Sequence, residues 1–98
     1  MNNDNDWPFD QPSNVAALTT KQVIEEGYPI RQVIHYGDDH SWAFMCGTTE
    51  NKEDFRLVHM GEILRLDNSL PSIADLPPGW SAWRDDKDSS WEKSQEDN

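Results

Sequence analysis

Polar and apolar residues alternate through the middle of the chain, then shift to helical spacing. Arg31-Gln32-Val33-Ile34-His35-Tyr36 is rich in β-branched and aromatic residues and predicts a strand. Gly37-Asp38-Asp39-His40 is turn material. Ser41-Trp42-Ala43-Phe44-Met45-Cys46 predicts a second strand, with Trp42, Phe44 and Cys46 on one face and Ala43 and Met45 on the other. Together they form the clearest hairpin in the sequence. Residues 47–54 are polar and acidic and read as an exposed loop. Residues 55–59 predict a third strand. Residues 60–66 could prolong it, but Met60, Ile63 and Leu64 fall at helical spacing, which favours a short helix ending near Asp67-Asn68.

Residues 69–76 suit a further helical turn, with Ser69 as cap and Pro71 in the first turn. Pro77-Pro78-Gly79 ends it. Residues 80–84 predict a final strand, in which Trp80 and Trp83 point to opposite faces. Upstream, residues 19–27 predict a short helix, capped by a threonine hydroxyl and closed by Gly27 and Pro29. The order implies an α+β fold: a small, mostly antiparallel sheet with short helices packed on it. Trp42, Phe44, Val33, Val58, Ile63, Leu66 and Leu76 are expected to share one core.

Composition narrows the picture. With 98 residues the chain has room for one domain. Residues 1–14 read as an acidic tail, 15–91 as the domain and 92–98 as a second acidic tail. Only 35% of the residues are hydrophobic, but five Trp, three Phe and two Tyr concentrate apolar area in few positions. The termini carry much of the net charge of -11. Asp4, Asp6 and Asp10 meet no cation in the first ten residues, and six acids oppose Lys87 and Lys93 in residues 85–98. Both ends are therefore expected to be frayed. Trp7, Phe9 and Trp91 are costly to leave in water, and each could fold back as a flap.

This acidity disfavours nucleic acid as a partner, because phosphates require a basic face. No apolar run approaches membrane-spanning length, and the polar start lacks the pattern of a secretory signal. A cytoplasmic location is expected. One cysteine, Cys46, excludes an internal disulfide framework.

Candidate chemistry is sparse. His35, His40, His59 and Cys46 show no closely spaced ligand pair, so no metal site is expected. Cys46 could act as a nucleophile with a distant histidine, but its alternation with Trp42 and Phe44 suits a small buried residue better. Glycine-rich phosphate loops and hydrolase motifs are absent, and neither a cofactor nor catalytic residues are expected.

Two strings carry a resemblance. One is the acidic turn leading to Trp-x-Phe and a small residue before Gly, residues 39–47. The other is an apolar helix, then Asp, a Ser- and Ile-containing turn, and Pro-x-Gly followed by an aromatic and Arg, residues 63–84. Over about residues 23–91 the chain resembles a bacterial family of unknown biochemical function that includes immunity proteins of polymorphic toxin systems. The family commonly has Ser-Gly-Trp where this chain has His40-Ser41-Trp42, and Trp83 stands where a Phe is more usual.

The resemblance implies a non-enzymatic protein that neutralises a protein partner by direct binding, and the chain's acidity suits a basic toxin as that partner. An accessory domain with no toxin partner is the alternative, and a small enzyme ranks third. Partner contacts are expected on loops, which vary without disturbing a core. The candidates are Asp38, Asp39 and His40 in the turn, Glu50, Glu53 and Asp54 in the acidic loop, and Trp83 with Arg84.

Overall fold

A computed structural model describes residue 9 and residues 14–47, 51–67 and 69–95. Its elements are strand β1 (Ala16–Thr20), helix α1 (Lys21–Glu25), strands β2 (Gln32–His35), β3 (Trp42–Met45) and β4 (Phe55–His59), helix α2 (Met60–Leu66), and strands β5 (Trp80–Trp83) and β6 (Glu92–Gln95). Short 3₁₀ turns occupy Lys52–Asp54 and Leu70–Ile73. The strands form one sheet in the order β4-β1-β3-β2-β5-β6, in which only the β1–β3 pair is parallel. The fold is a small α+β domain.

Both new strands lie where other structure was expected. Ala16 and Ala17 have weak strand propensity, yet Ala16–Thr20 pairs with β4 over five residues and with β3 on its other side. Thr19 and Thr20 therefore belong to a strand rather than to a helix start. Neither hydroxyl caps α1. Thr19 Oγ1 donates to the Phe44 carbonyl at 2.6 Å, and Thr20 Oγ1 donates to Cys46 Sγ at 3.5 Å. Beyond α1, Gly27 takes the expected left-handed conformation at φ +75°. The strand at 80–83 is not the final one. Glu92–Gln95 pairs antiparallel with β5, so the sheet continues into the segment read as a tail. Its fully polar sequence suits an edge, because charged side chains deter further pairing.

The sheet has two unlike faces. Strand register places Val33, His35, Trp42, Phe44, Ala82 and Trp80 on the first. Val23 of α1, Met60 and Ile63 of α2, and Leu70 and Ile73 of the 3₁₀ turn join this core, together with Ile30, Leu76 and Phe9. His35 and Trp42 stack with ring centroids 4.0 Å apart, and Phe9 meets Trp42 edge-on at 4.9 Å. His35 Nδ1–H donates to the Leu76 carbonyl at 2.7 Å, tying the sheet to the segment above it.

Leu66 departs from the expected core and is 52% exposed. At 3.6 residues per turn it lies about 200° around the helix from Leu64, on the outer side. The turn at 70–73 also lacks the expected cap. Ser69 Oγ donates instead to Asp67 Oδ1 at 2.6 Å.

On the second face, Leu57, Leu18, Ala43, Ile34, Ser81 and Ser94 stand side by side across all six strands. The four strands β4, β1, β3 and β2 carry mostly apolar residues here, and β5 and β6 carry Ser81, Ser94 and the partly exposed Trp83. Leu57 is 72% exposed, and Leu18, Ile34, Met45 and Phe55 are each partly exposed. Among the described residues, the helical segments contribute their buried side chains to the first face. None of the described helices is long and apolar enough to cross a membrane.

Candidate functional site

The β2–β3 connection presents Asp38, Asp39 and His40 to solvent. Hydrogen bonds within the turn fix its shape. Asp38 Oδ1 accepts the Asp39 N–H at 2.8 Å, and Asp39 Oδ1 accepts the Ser41 N–H at 3.0 Å and its hydroxyl at 2.7 Å. The Ser41 hydroxyl, and then its N–H, hold the Asp39 carboxyl below its ordinary range, so this carboxylate stays ionised. His40 closes the turn at φ +62°, a left-handed conformation uncommon for a residue with a side chain.

This turn borders a concavity of about 310 Å³ on the open face. Ala16, Leu18 and Leu57 supply apolar wall, and Tyr36, Asp38, Asp39 and Ser41 supply polar groups. Tyr36 is half-buried. Burial first, then the charges of Asp38 and Asp39, raise its phenol above the ordinary value, so it remains a neutral hydroxyl.

The second acidic cluster lies at the other end of the sheet. β1 runs parallel to β3, so the end of β1 lies far from the β2–β3 turn. Thr20 at that end pairs with Phe55, immediately after the 3₁₀ turn at Lys52–Asp54. Glu53 is exposed there. Asp54 is partly satisfied within the fold, because Gln22 Nε2 donates to its Oδ2 at 3.0 Å and Lys21 Nζ lies 3.6 Å from its Oδ1. Glu50 lies outside the described residues. The expected sites thus flank the open face at opposite ends instead of forming one patch.

Trp83 belongs to the open face, since it pairs with Gln32 and is 39% exposed. Its ring lies against Gly47, where an added Cβ would come within 3.0 Å of Cζ3, and the Arg31 guanidinium sits 5.0 Å from its centroid.

Arg84 must be removed from the expected surface. It is only 2% exposed, because the residue after an outward-facing tryptophan turns inward. Its Nε donates to the Ile30 carbonyl at 2.9 Å, Nη1 donates to Ser69 Oγ and the Lys87 carbonyl, and Nη2 forms an ion pair with Asp67. The Trp91 ring covers its guanidinium at 4.2 Å. Burial acts to raise the Asp67 carboxyl. The opposing hydrogen bonds from Ser69 and the interaction with Arg84 outweigh it, and the group is held below its ordinary value.

Sequence reasoning missed Leu18, Ile34, Tyr36 and Leu57 as surface groups. The signal was present: residues 31–36 and 55–59 place apolar or aromatic side chains on both alternating sets. Pairing both sets with the core would require a second covering layer that the chain does not otherwise suggest.

Cys46 is buried beside the Thr20 hydroxyl. Among the described residues no group of three or more His, Cys, Asp or Glu is placed to hold a metal ion. Clefts of about 320 and 420 Å³ are lined by residues of the helical layer and the segment before β6, but the Asp67 and Arg84 they contain pair with each other. No protein-family model, curated protein or solved structure matches the chain.

Proposed function

We propose that this chain is a non-enzymatic acidic binding protein that holds a protein partner on the open face of its sheet. In the fuller form of the reading it is a cytoplasmic bacterial immunity protein, and the partner is a basic toxin that it neutralises by direct contact. One observation carries the proposal: a partly exposed apolar sheet face, with Leu57 on its β4 edge and carboxylates at both ends, in a chain of net charge -11. Such a face gains free energy when covered, at about 25 cal/mol per Å² of apolar surface removed from water. Its acidic rim would steer a basic partner during encounter.

The test has two steps. The immobilised chain is used to recover partners from its native cell, and each recovered protein is then produced alone and together with this chain. The expected outcome is a basic protein that arrests growth alone and is tolerated in the chain's presence. Recovery of partners whose production has no effect on growth would overturn the immunity reading. Recovery of none would overturn the binding reading as well.

A further inference from the structure

We infer that the concavity beside the β2–β3 turn is an anchor site for one long cationic side chain, arginine or lysine, projecting from a basic protein partner. The inference rests on the binding reading above and adds the chemistry of the contact. The cavity joins two features that such a side chain needs. Ala16, Leu18 and Leu57 offer apolar wall for an aliphatic stem, and Asp38 and Asp39 stand at its rim for the charged head. Long cationic side chains bury their methylenes against apolar surface while the charge reaches outward. Tyr36 lines the same space.

The carboxylates retain capacity for a ligand. The turn's internal bonds to Asp38 and Asp39 fall on Oδ1 of each, and both side chains are exposed. These bonds also hold the turn in place before any ligand arrives, which lowers the entropy lost on binding.

Charge selects the occupant of the face. A second copy of this chain would bring two molecules of net charge -11 together. It would also set acidic rims against each other, because a two-fold contact presents the same surface from both sides. A purely apolar partner segment would fill the wall and leave the two aspartates partly desolvated without a counter-charge. A basic partner satisfies both features at once.

The experiment is an amide-resolved NMR titration of the full chain with N-acetyl-arginine methylamide and N-acetyl-lysine methylamide. N-acetyl-citrulline methylamide serves as the neutral match. The expected result is saturable shift changes confined to residues 16–18, 36–41 and 57 with the two cations, and none that saturate with citrulline. The double variant Asp38→Asn/Asp39→Asn should bind roughly tenfold more weakly. Leu57→Ser should also weaken binding, while its own spectrum confirms an intact fold. Equal shifts from citrulline, shifts scattered over every acidic surface, unchanged binding by the double variant, or no shifts at all would each overturn the anchor.

No partner protein enters the titration, so its failure leaves face-dependent capture standing. A saturable titration combined with failed capture would instead strike the binding reading alone.

Discussion

The two faces of the sheet are made from the same strands and differ in almost every other respect. On the covered face, alternate positions carry Val33, His35, Trp42 and Phe44, and the helical segments close over them. On the open face, the intervening positions carry Ile34, Ala43, Leu18 and Leu57, and solvent reaches most of them. The covered face binds distant parts of the chain into one core. The open face is apolar without serving that core, which is the condition expected of a surface kept for a partner. Substitutions should therefore separate cleanly: those on the covered face change stability, and those on the open face change association.

The largest effect is expected at the centre of the covered face. Trp42→Ala removes a ring that stacks on His35 and meets Phe9, and should cost about 3–5 kcal/mol in urea denaturation. A cost below about 1 kcal/mol would mean that the core does not depend on this face in the way its packing indicates.

Next in size is the ion pair that fastens β5 to the segment after α2. Arg84→Met strands the partly buried Asp67 carboxylate and should cost about 3 kcal/mol. The same pair gives an acid signature. The folded pKa of Asp67 is lowered, so its contribution is fully present above the unfolded value of 3.8 and is lost as pH falls through the folded value. The stability gap between wild type and Asp67→Asn should therefore narrow as pH drops below 3.8, as followed by thermal unfolding.

A smaller effect is expected at the boundary between fold and open face. Gly47 combines φ +77° with the Trp83 ring lying where a side chain would start. Gly47→Ala should cost about 1 kcal/mol or more and displace the indole, seen as a change in tryptophan fluorescence. Leu57→Asp should have the smallest effect on stability, within about 0.5 kcal/mol, because the side chain is mostly in solvent.

The contrast between the faces also explains what could be read in advance. Strands β2, β3, β4 and β5 were legible because β-branched and aromatic residues mark them. β1 was not, since Ala16 and Ala17 have weak strand preference and Thr19 and Thr20 also suit a helix start; the segment acquires its conformation from neighbours on both sides. β6 has no apolar residue, and backbone pairing with β5 alone makes it a strand. Of the expected contact residues, Asp38 and Asp39 were legible as turn residues and Trp83 as a strand residue. Arg84 was misplaced because a cation is ordinarily assigned to the surface, and only the fold reveals Asp67 and Trp91 around it. The open face itself is assembled from alternate positions of separate strands, and no local window of sequence contains it.

The two exposed leucines supply the most direct measurement. Leu57 lies on the open face and Leu66 on the outer side of α2, and both are large apolar side chains in solvent. Retention of the recovered partner is compared for wild type, Leu57→Asp and Leu66→Asp, after confirming that all three fold. The expected result is that Leu57→Asp loses the partner and Leu66→Asp keeps it. Equal loss by both, or loss by Leu66→Asp alone, would contradict the assignment of the open face as the binding surface.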